Sequence, residues 1–390
     1  MANILTAEDR ILTTHMGSAP RPPALLDLMK AKAEGGYDPV AFEIRVSAAV
    51  ETCVREQADV GIDIVADGEE KTSFLLYVQD RLAGLEPRPG KAFPGKAFRG
   101  LKRGAPLFLE DFERCFQNAI SMGAPIADVP IVCAGPIEYV GEEQLHRDIE
   151  NLRTAASKID CSAAFMSSVA PSAVGANEYY PSDEQFRYAS GEALRAEYEA
   201  IVAAGFLLQI ADPFLPALFS DPSLTSAHAE RQAWAYVDAL NHTLRGIPAE
   251  KIRYHVSCAR AGAARTVKLP FVDLALHMLR VNAGAYSFDA AEARYEEDAE
   301  LRRVIRLPAG KVIMPGLISH ANDIVEDPES ISDRLIRFAD WVGRDSVVAS
   351  VDSGPSWRSA AGSNVEPEAI WSKFEALCEG AERASRRLWS

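Results

Sequence analysis

The apolar run Ile252-Arg-Tyr-His-Val-Ser-Cys-Ala-Arg260 delivers an imidazole, a hydroxyl, a thiol and a guanidinium to one place. His255, Ser257, Cys258 and Arg260 are groups that bind a metal, move a proton or grip an anion. Five other apolar runs also end in polar residues. They carry His15 with Gly17 and Ser18, Asp67 with Glu69, Asp212, Asp289, and Asp352 with Ser353. A single aspartate at a strand end is often the N-cap of the next helix. Six such ends meeting in one mouth would perturb each other's protonation, which suits acid–base work. Gly17 and Ser18 could offer backbone N–H groups to an anion, or simply form a turn. Tyr179 and Tyr180, in Asn177-Glu-Tyr-Tyr-Pro181, are candidate substrate contacts or packing plugs. A zinc ion among these groups is one of the open possibilities.

The elements that must position these residues alternate along the chain. Nine short apolar runs read as strands: 11–18, 61–69, 130–136, 164–171, 206–213, the opening run, 285–289, 311–320 and 346–352. Helical periodicity fills the gaps at 42–60, 109–120, 142–157, 190–204, 227–244, 271–281 and 366–388. Runs buried on both faces and joined by helices predict parallel strands, and a (β/α)8 TIM barrel fits best. Such barrels place their chemistry at the C-terminal ends of strands. Nine runs are one too many, so one near Ile131 or Val312 is expected outside the ring. Residues 85–104, rich in Pro, Gly and Lys/Arg, read as a long excursion, hairpin or lid over one face. No composition break divides residues 1–390 into separate domains.

Bulk properties narrow the function classes. The net charge of −15 disfavours nucleic acid and anionic membranes as partners. There is no apolar stretch of membrane-spanning length, no signal-peptide pattern and no nucleotide-cofactor motif, so a cytoplasmic protein acting on a small molecule is expected. Homo-oligomer formation is left open. The six cysteines are scattered without a Cys-x-x-Cys pair and read as thiols rather than disulfides.

Several motifs together resemble the catalytic domain of the cobalamin-independent methionine synthase family, especially its single-barrel members. They are Thr13-Thr-His-Met-Gly-Ser-Ala-Pro-Arg-Pro22, Gly61-Ile-Asp-Ile-Val-Ala-Asp-Gly-Glu69, Asn177-Glu-Tyr-Tyr-Pro181, Leu208-Gln-Ile-Ala-Asp-Pro213, Leu240-Asn-His-Thr-Leu-Arg-Gly-Ile-Pro248 and Arg280-Val-Asn-Ala-Gly-Ala-Tyr-Ser-Phe-Asp289. The resemblance runs nearly end to end. It implies a methionine synthase/uroporphyrinogen decarboxylase-like barrel, and a zinc ion that deprotonates a thiol such as homocysteine for attack on a methyl donor. It also implies that Gly17, Ser18 and Glu69 hold an amino-acid substrate.

The chain departs from that pattern at the metal. The family's zinc ligands resemble His-x-Cys, a Glu and a Cys in an Asp-Cys-Gly turn. Here His255 matches, but Ser257, Asp289 and Ser353 stand at the other three positions. A serine hydroxyl is a poor zinc ligand at neutral pH, whereas thiolates suit zinc. Cys258 alternates to the opposite face unless a bulge re-aims it. Ala211 replaces a carboxylate that grips the substrate ammonium, and Arg294-Tyr-Glu-Glu297 replaces an Arg-His-Glu-His-like run. Whether any metal binds is left open. If one does, His255, Asp289 and possibly a re-aimed Cys258 are its donors, and oxygen ligands would favour Mg²⁺ or Mn²⁺.

Three readings follow. The first is a lyase, hydrolase or transferase working by acid–base chemistry without Cys-ligated zinc. In it His255 is the general acid/base, Asp289 or Asp352 orients it, and Glu69 or Asp212 is the second proton-transfer group. Arg260 or Arg265 would bind a substrate carboxylate. The second is zinc-dependent methyl or alkyl transfer to a thiol. The third is a non-catalytic small-molecule-binding barrel.

Overall fold

The computed structural model describes residues 7–33, 35–70, 77–87, 131–220, 224–256, 271–291, 306–319, 323–352 and 366–390. Six strands form one parallel sheet: β1 (Ile64–Ala66), β4 (Ala163–Val169), β6 (Leu207–Asp212), β7 (Ile252–Val256), β8 (Ala285–Asp289) and β9 (Val312–Gly316), in that spatial order. Strands β6 to β9 are buried at every residue, as a parallel sheet covered on both faces requires. Two extended segments continue the sheet at its edges. Thr14 bridges to Ile64 on β1, Val347 to Ile313 and Ser350 to Gly316 on β9, and Thr13 to Ala349, all in parallel sense.

Alternation along the strands separates two apolar clusters. Leu12, Ile64, Ala66, Phe165, Leu207, Ala285, Val312, Met314 and Val348 pack together on one side of the sheet. The larger cluster joins the opposite side to the helices and includes Ile210, Tyr254, Phe288 and Phe374. The helices start where sequence chemistry sets their N-termini. Asp38 caps Pro39–Asp59, Ser182 caps Asp183–Ala203, Thr225 caps Ser226–Thr243 and Asp327 caps Pro328–Val342, each through a side-chain oxygen that accepts backbone N–H groups. The Pro328–Val342 helix is not among those that periodicity predicts.

The Ile131 run is the one outside the main sheet, and Val312 lies within it. The run does not end at Gly-Pro as expected. Strand β3 (Ile131–Tyr139) continues through both residues and pairs antiparallel with β2 (Leu82–Pro87) and parallel with β5 (Ala176–Asn177). The register slips between Ala83 and Leu85. There Gly84 has φ +82°, and a Cβ on it would lie 2.2 Å from the Pro136 carbonyl oxygen. Only glycine fits this bulge, which lets a proline sit inside a paired strand. Of the predicted excursion, residues 85–87 are described, and they end β2. Residues 88–104 and the expected helix 109–120 lie outside the described residues. No described helix is long and apolar enough to cross a membrane.

Candidate functional site

The first corner of the site is built on Gly17. Its φ is +115°, and a Cβ there would sit 2.7 Å from Glu69 Oε1 and 2.8 Å from Ser167 Oγ. The Ser18 hydroxyl donates to Glu69 Oε2, and Ser18 bridges to Gly68. Glu69 is the non-glycine residue in left-handed conformation among the described residues, at φ 53°. Its backbone is clamped there: Arg21 Nη2 donates to its carbonyl at 2.6 Å, and its N–H donates to Asp67 Oδ1 at 3.1 Å. Such strain persists where surrounding bonds over-determine it, often at functional sites. Burial raises the Glu69 pKa against the opposing bonds from Ser18 and Ser167. It pushes Asp67 up to about 7, helped by Asp148 and Glu69.

His15 lies beneath this corner and is fully buried, with both ring nitrogens engaged. Its Nδ1 accepts the Gly17 N–H at 3.2 Å, and its Nε2 faces Gln57 Oε1 at 2.7 Å. Phe165 and Phe374 flank the ring. Burial drives its pKa down to about 3, so it stays neutral and acts on the site through the Gly17 backbone. Gln57, which the sequence did not flag, locks the arrangement by also bonding both backbone groups of Ala66.

A cleft runs from Glu69 past Asp67 and Ser167 to a buried network on Arg81. Arg81 donates to Asp148 at 2.5 Å and to Tyr139 at 3.2 Å, and lies 3.5 Å from Glu197. Tyr139, Ser168 and Tyr77 complete the donors to Glu197. The network ties the foot of β2 to the Glu142–Ala156 and Asp183–Ala203 helices, so it holds the excursion's base beside the site.

Asp212 is a cap. Its Oδ1 accepts the N–H groups of Phe214 and Leu215 at 3.0 Å each and the Ser172 hydroxyl at 3.2 Å, while Oδ2 accepts the Tyr254 hydroxyl at 2.9 Å. Burial raises its pKa against these bonds. A carboxylate so fully engaged holds the β6 end rather than supplying a second proton-transfer group.

His255 is buried at the end of β7, and its Nδ1 lies 3.1 Å from Ser287 Oγ. Ser287, rather than Asp289 or Asp352, is the side chain that holds the ring. Burial, then the Arg253 charge, lowers the His255 pKa to about 3. At neutral pH it is therefore a neutral acceptor and cannot start as a general acid. Just past the end of β8, the strand beside β7, Asp352 accepts the Ala290 N–H at 2.8 Å and the Ala291 N–H at 3.0 Å. Burial and the neighbouring Asp289 carboxylate raise the Asp352 pKa well above the usual range. Asp289 ends β8 and is also buried.

Tyr180 is a plug: its hydroxyl accepts the Ile137 N–H at 3.0 Å, and its ring packs near Phe186. Tyr179 is 51% exposed and meets Tyr180 edge-on. Both lie beside the small sheet, and neither makes a described hydrogen bond or ring contact with the strand-end residues. Ser257, Cys258, Arg260, Arg265 and Ser353 lie outside the described residues.

Of the donors weighed for a metal, His255 offers one neutral nitrogen and Asp289 ends β8, while Cys258 lies outside the described residues. Among the described residues no three His, Cys, Asp or Glu side chains gather into a metal-binding group.

No protein-family model and no curated protein matches the chain. Among solved structures it is similar to a B12-independent methionine synthase from Shewanella sp. W3-18-1, solved in complex with selenomethionine. The identity is 19% over 97% of this chain and 99% of that one, with a TM-score of 0.69. A protein assigned to the vitamin-B12-independent methionine synthases from Listeria monocytogenes is 18% identical over 98% of this chain and 99% of its own, with a TM-score of 0.65. The chain has the fold of these proteins, which come from the family its motifs resemble.

Proposed function

We propose that the chain is a divergent member of the cobalamin-independent methionine synthase family, a single (β/α)8 barrel whose ring is completed by segments 11–15 and 347–351. At its mouth it carries out acid–base chemistry on a small organic substrate, as a lyase, hydrolase or group transferase, without Cys-ligated zinc. One observation carries the reading. Groups driven to opposite protonation states flank the end of β8: His255 on the adjoining β7 is held neutral, and Asp352, bonded to Ala290 and Ala291 just past β8, is biased toward its protonated form. Environments that push titratable groups apart in this way assign acceptor and donor roles. The Gly17–Ser18–Glu69 corner supplies the polar grip for the substrate. That corner also favours a second reading, methyl or alkyl transfer to a thiol, because it is where the resemblance places an amino-acid substrate.

Metal analysis of protein purified without added zinc separates the two. The first reading expects far less than one zinc per chain, and one firmly retained zinc would favour the second. A thermal-shift screen of amino acids and small carboxylic acids then supplies substrates for turnover. His255→Gln is expected to lower kcat by about 10²–10⁴-fold, the usual weight of a proton-transfer group. An unchanged kcat would remove His255 from the mechanism.

A further inference from the structure

Ser287 lies directly across from His255 in the parallel β7–β8 register, and both are buried. Its hydroxyl has two neighbours. His255 Nδ1 is 3.1 Å away, and Met16 Sδ is 2.9 Å away. A thioether sulfur accepts hydrogen bonds but cannot donate them. If the Ser287 hydrogen goes to Met16, the Ser287 oxygen is left to accept from Nδ1–H. The Ser287 backbone also stabilises the protonated ring, which again places a hydrogen on the ring edge facing Ser287. Met16 is itself fixed, because Gln209 Nε2 donates to its carbonyl at 2.7 Å. No bond to Nε2 is found among the described residues.

We propose that Ser287 is a positioning residue that holds His255 as the Nδ1–H tautomer, with Met16 taking the serine proton, so that Nε2 is the atom presented to substrate. The functional weight of this tautomer rests on the reading of His255 given above; the tautomer itself does not. The identity of a working ring nitrogen is set by the bond the other nitrogen makes. The same short relay links β8, β7 and the segment leading into Gly17, so the imidazole and the substrate corner share one support.

Long-range ¹H–¹⁵N correlation spectra of histidine-labelled full-length protein at neutral pH read the tautomer directly, with His255 assigned by its loss in His255→Gln. The wild type should show a protonated Nδ1 and a bare Nε2. Ser287→Ala should move the tautomer ratio toward Nε2–H by about fivefold, the scale of one hydrogen bond. Ser287→Thr should restore the wild-type pattern. Met16→Leu, which removes only the sulfur acceptor, should shift the ratio in the same direction as Ser287→Ala and serves if that variant fails to fold. A wild-type ring carrying its proton on Nε2 overturns the proposal, as does a ratio indifferent to both Ser287→Ala and Met16→Leu. Neither result depends on turnover, so a failure here is distinct from a failure of the acid–base reading, which His255→Gln kinetics decide.

Discussion

Arg253 stacks on Phe165, with the guanidinium carbon 3.7 Å from the ring centroid. It points to the same side of the sheet as His255, two residues further along β7. Nη1 donates to Thr14 Oγ1 at 2.9 Å and Nη2 to the His15 carbonyl at 2.6 Å, while Nε is buried without a partner. No salt bridge to Arg253 is found among the described residues, and burial lowers its pKa to about 9. The flat, weakly hydrated guanidinium tolerates this place because it can stack and fork at once. Arg253→Lys should lose the stack and one fork, costing about 1–3 kcal/mol. A buried lysine has its folded pKa lowered, so the folded state binds fewer protons and gains stability as pH rises. The loss measured by urea unfolding should therefore be larger at pH 6 than at pH 9.

Gly17→Ala should disable the substrate corner. Its Cβ has no room beside Glu69 and Ser167, and its φ of +115° is unfavourable for alanine. The expected stability loss is about 1–3 kcal/mol. Any ligand that raises the wild-type Tm should leave the variant's Tm unmoved. A normal ligand response would show that the Glu69 carboxylate gives way freely.

Glu70 makes stability fall at alkaline pH. Its carboxylate is buried, both oxygens lack partners, and burial pushes its pKa to about 8. A raised folded pKa means that the folded state binds more protons than the unfolded state. Its contribution is fully present below the unfolded pKa, near 4.5, and is lost as pH rises through about 8. Glu70→Gln should therefore raise Tm more at pH 9 than at pH 6. A tenfold difference in proton affinity between folded and unfolded states is worth about 1.4 kcal/mol, so the pH 9 gain is on the order of a few kcal/mol. Equal gains at both pH values would remove Glu70 as the source.

Asp212 and Tyr254 should behave as one unit. Asp212→Ala removes a cap and strands a buried hydroxyl, at an expected cost of about 2–4 kcal/mol. Tyr254→Phe should cost less alone and almost nothing in the Asp212→Ala background. A double-mutant cycle by chemical denaturation measures the coupling, and strict additivity would contradict the bond at 2.9 Å.

Much of the architecture is legible in the residues. The strand ends at Asp212, His255, Asp289 and Asp352 fall where the apolar runs stop, because strands buried on both faces tolerate polar groups best at their ends. Gly17 and Glu69 form a close corner, as their shared motifs implied. The Ile131 run could not be told from the ring strands, since an apolar run records burial and not its partner. The Pro328–Val342 helix had readable signals in Asp327 and Pro328, a cap and a first-turn proline. The support beneath the mouth was missed although it has a period. Gln209, Arg253, Ser287 and Ser350 each sit two residues before a strand-end position, at 211, 255, 289 and 352, and so face the same way. A polar residue inside an apolar run reads as an interruption until its neighbours are known.

Segment 11–15 has β1 on one side and segment 347–351 on the other, joined to them by the Thr14–Ile64 and Thr13–Ala349 bridges. During synthesis its first neighbour emerges within about 50 residues, and its second only after more than 300 others. Throughout that interval one flank of an apolar strand waits unpaired, a template for pairing with another chain. Pairing on that flank therefore joins the residues furthest apart in sequence among the sheet's described pairings.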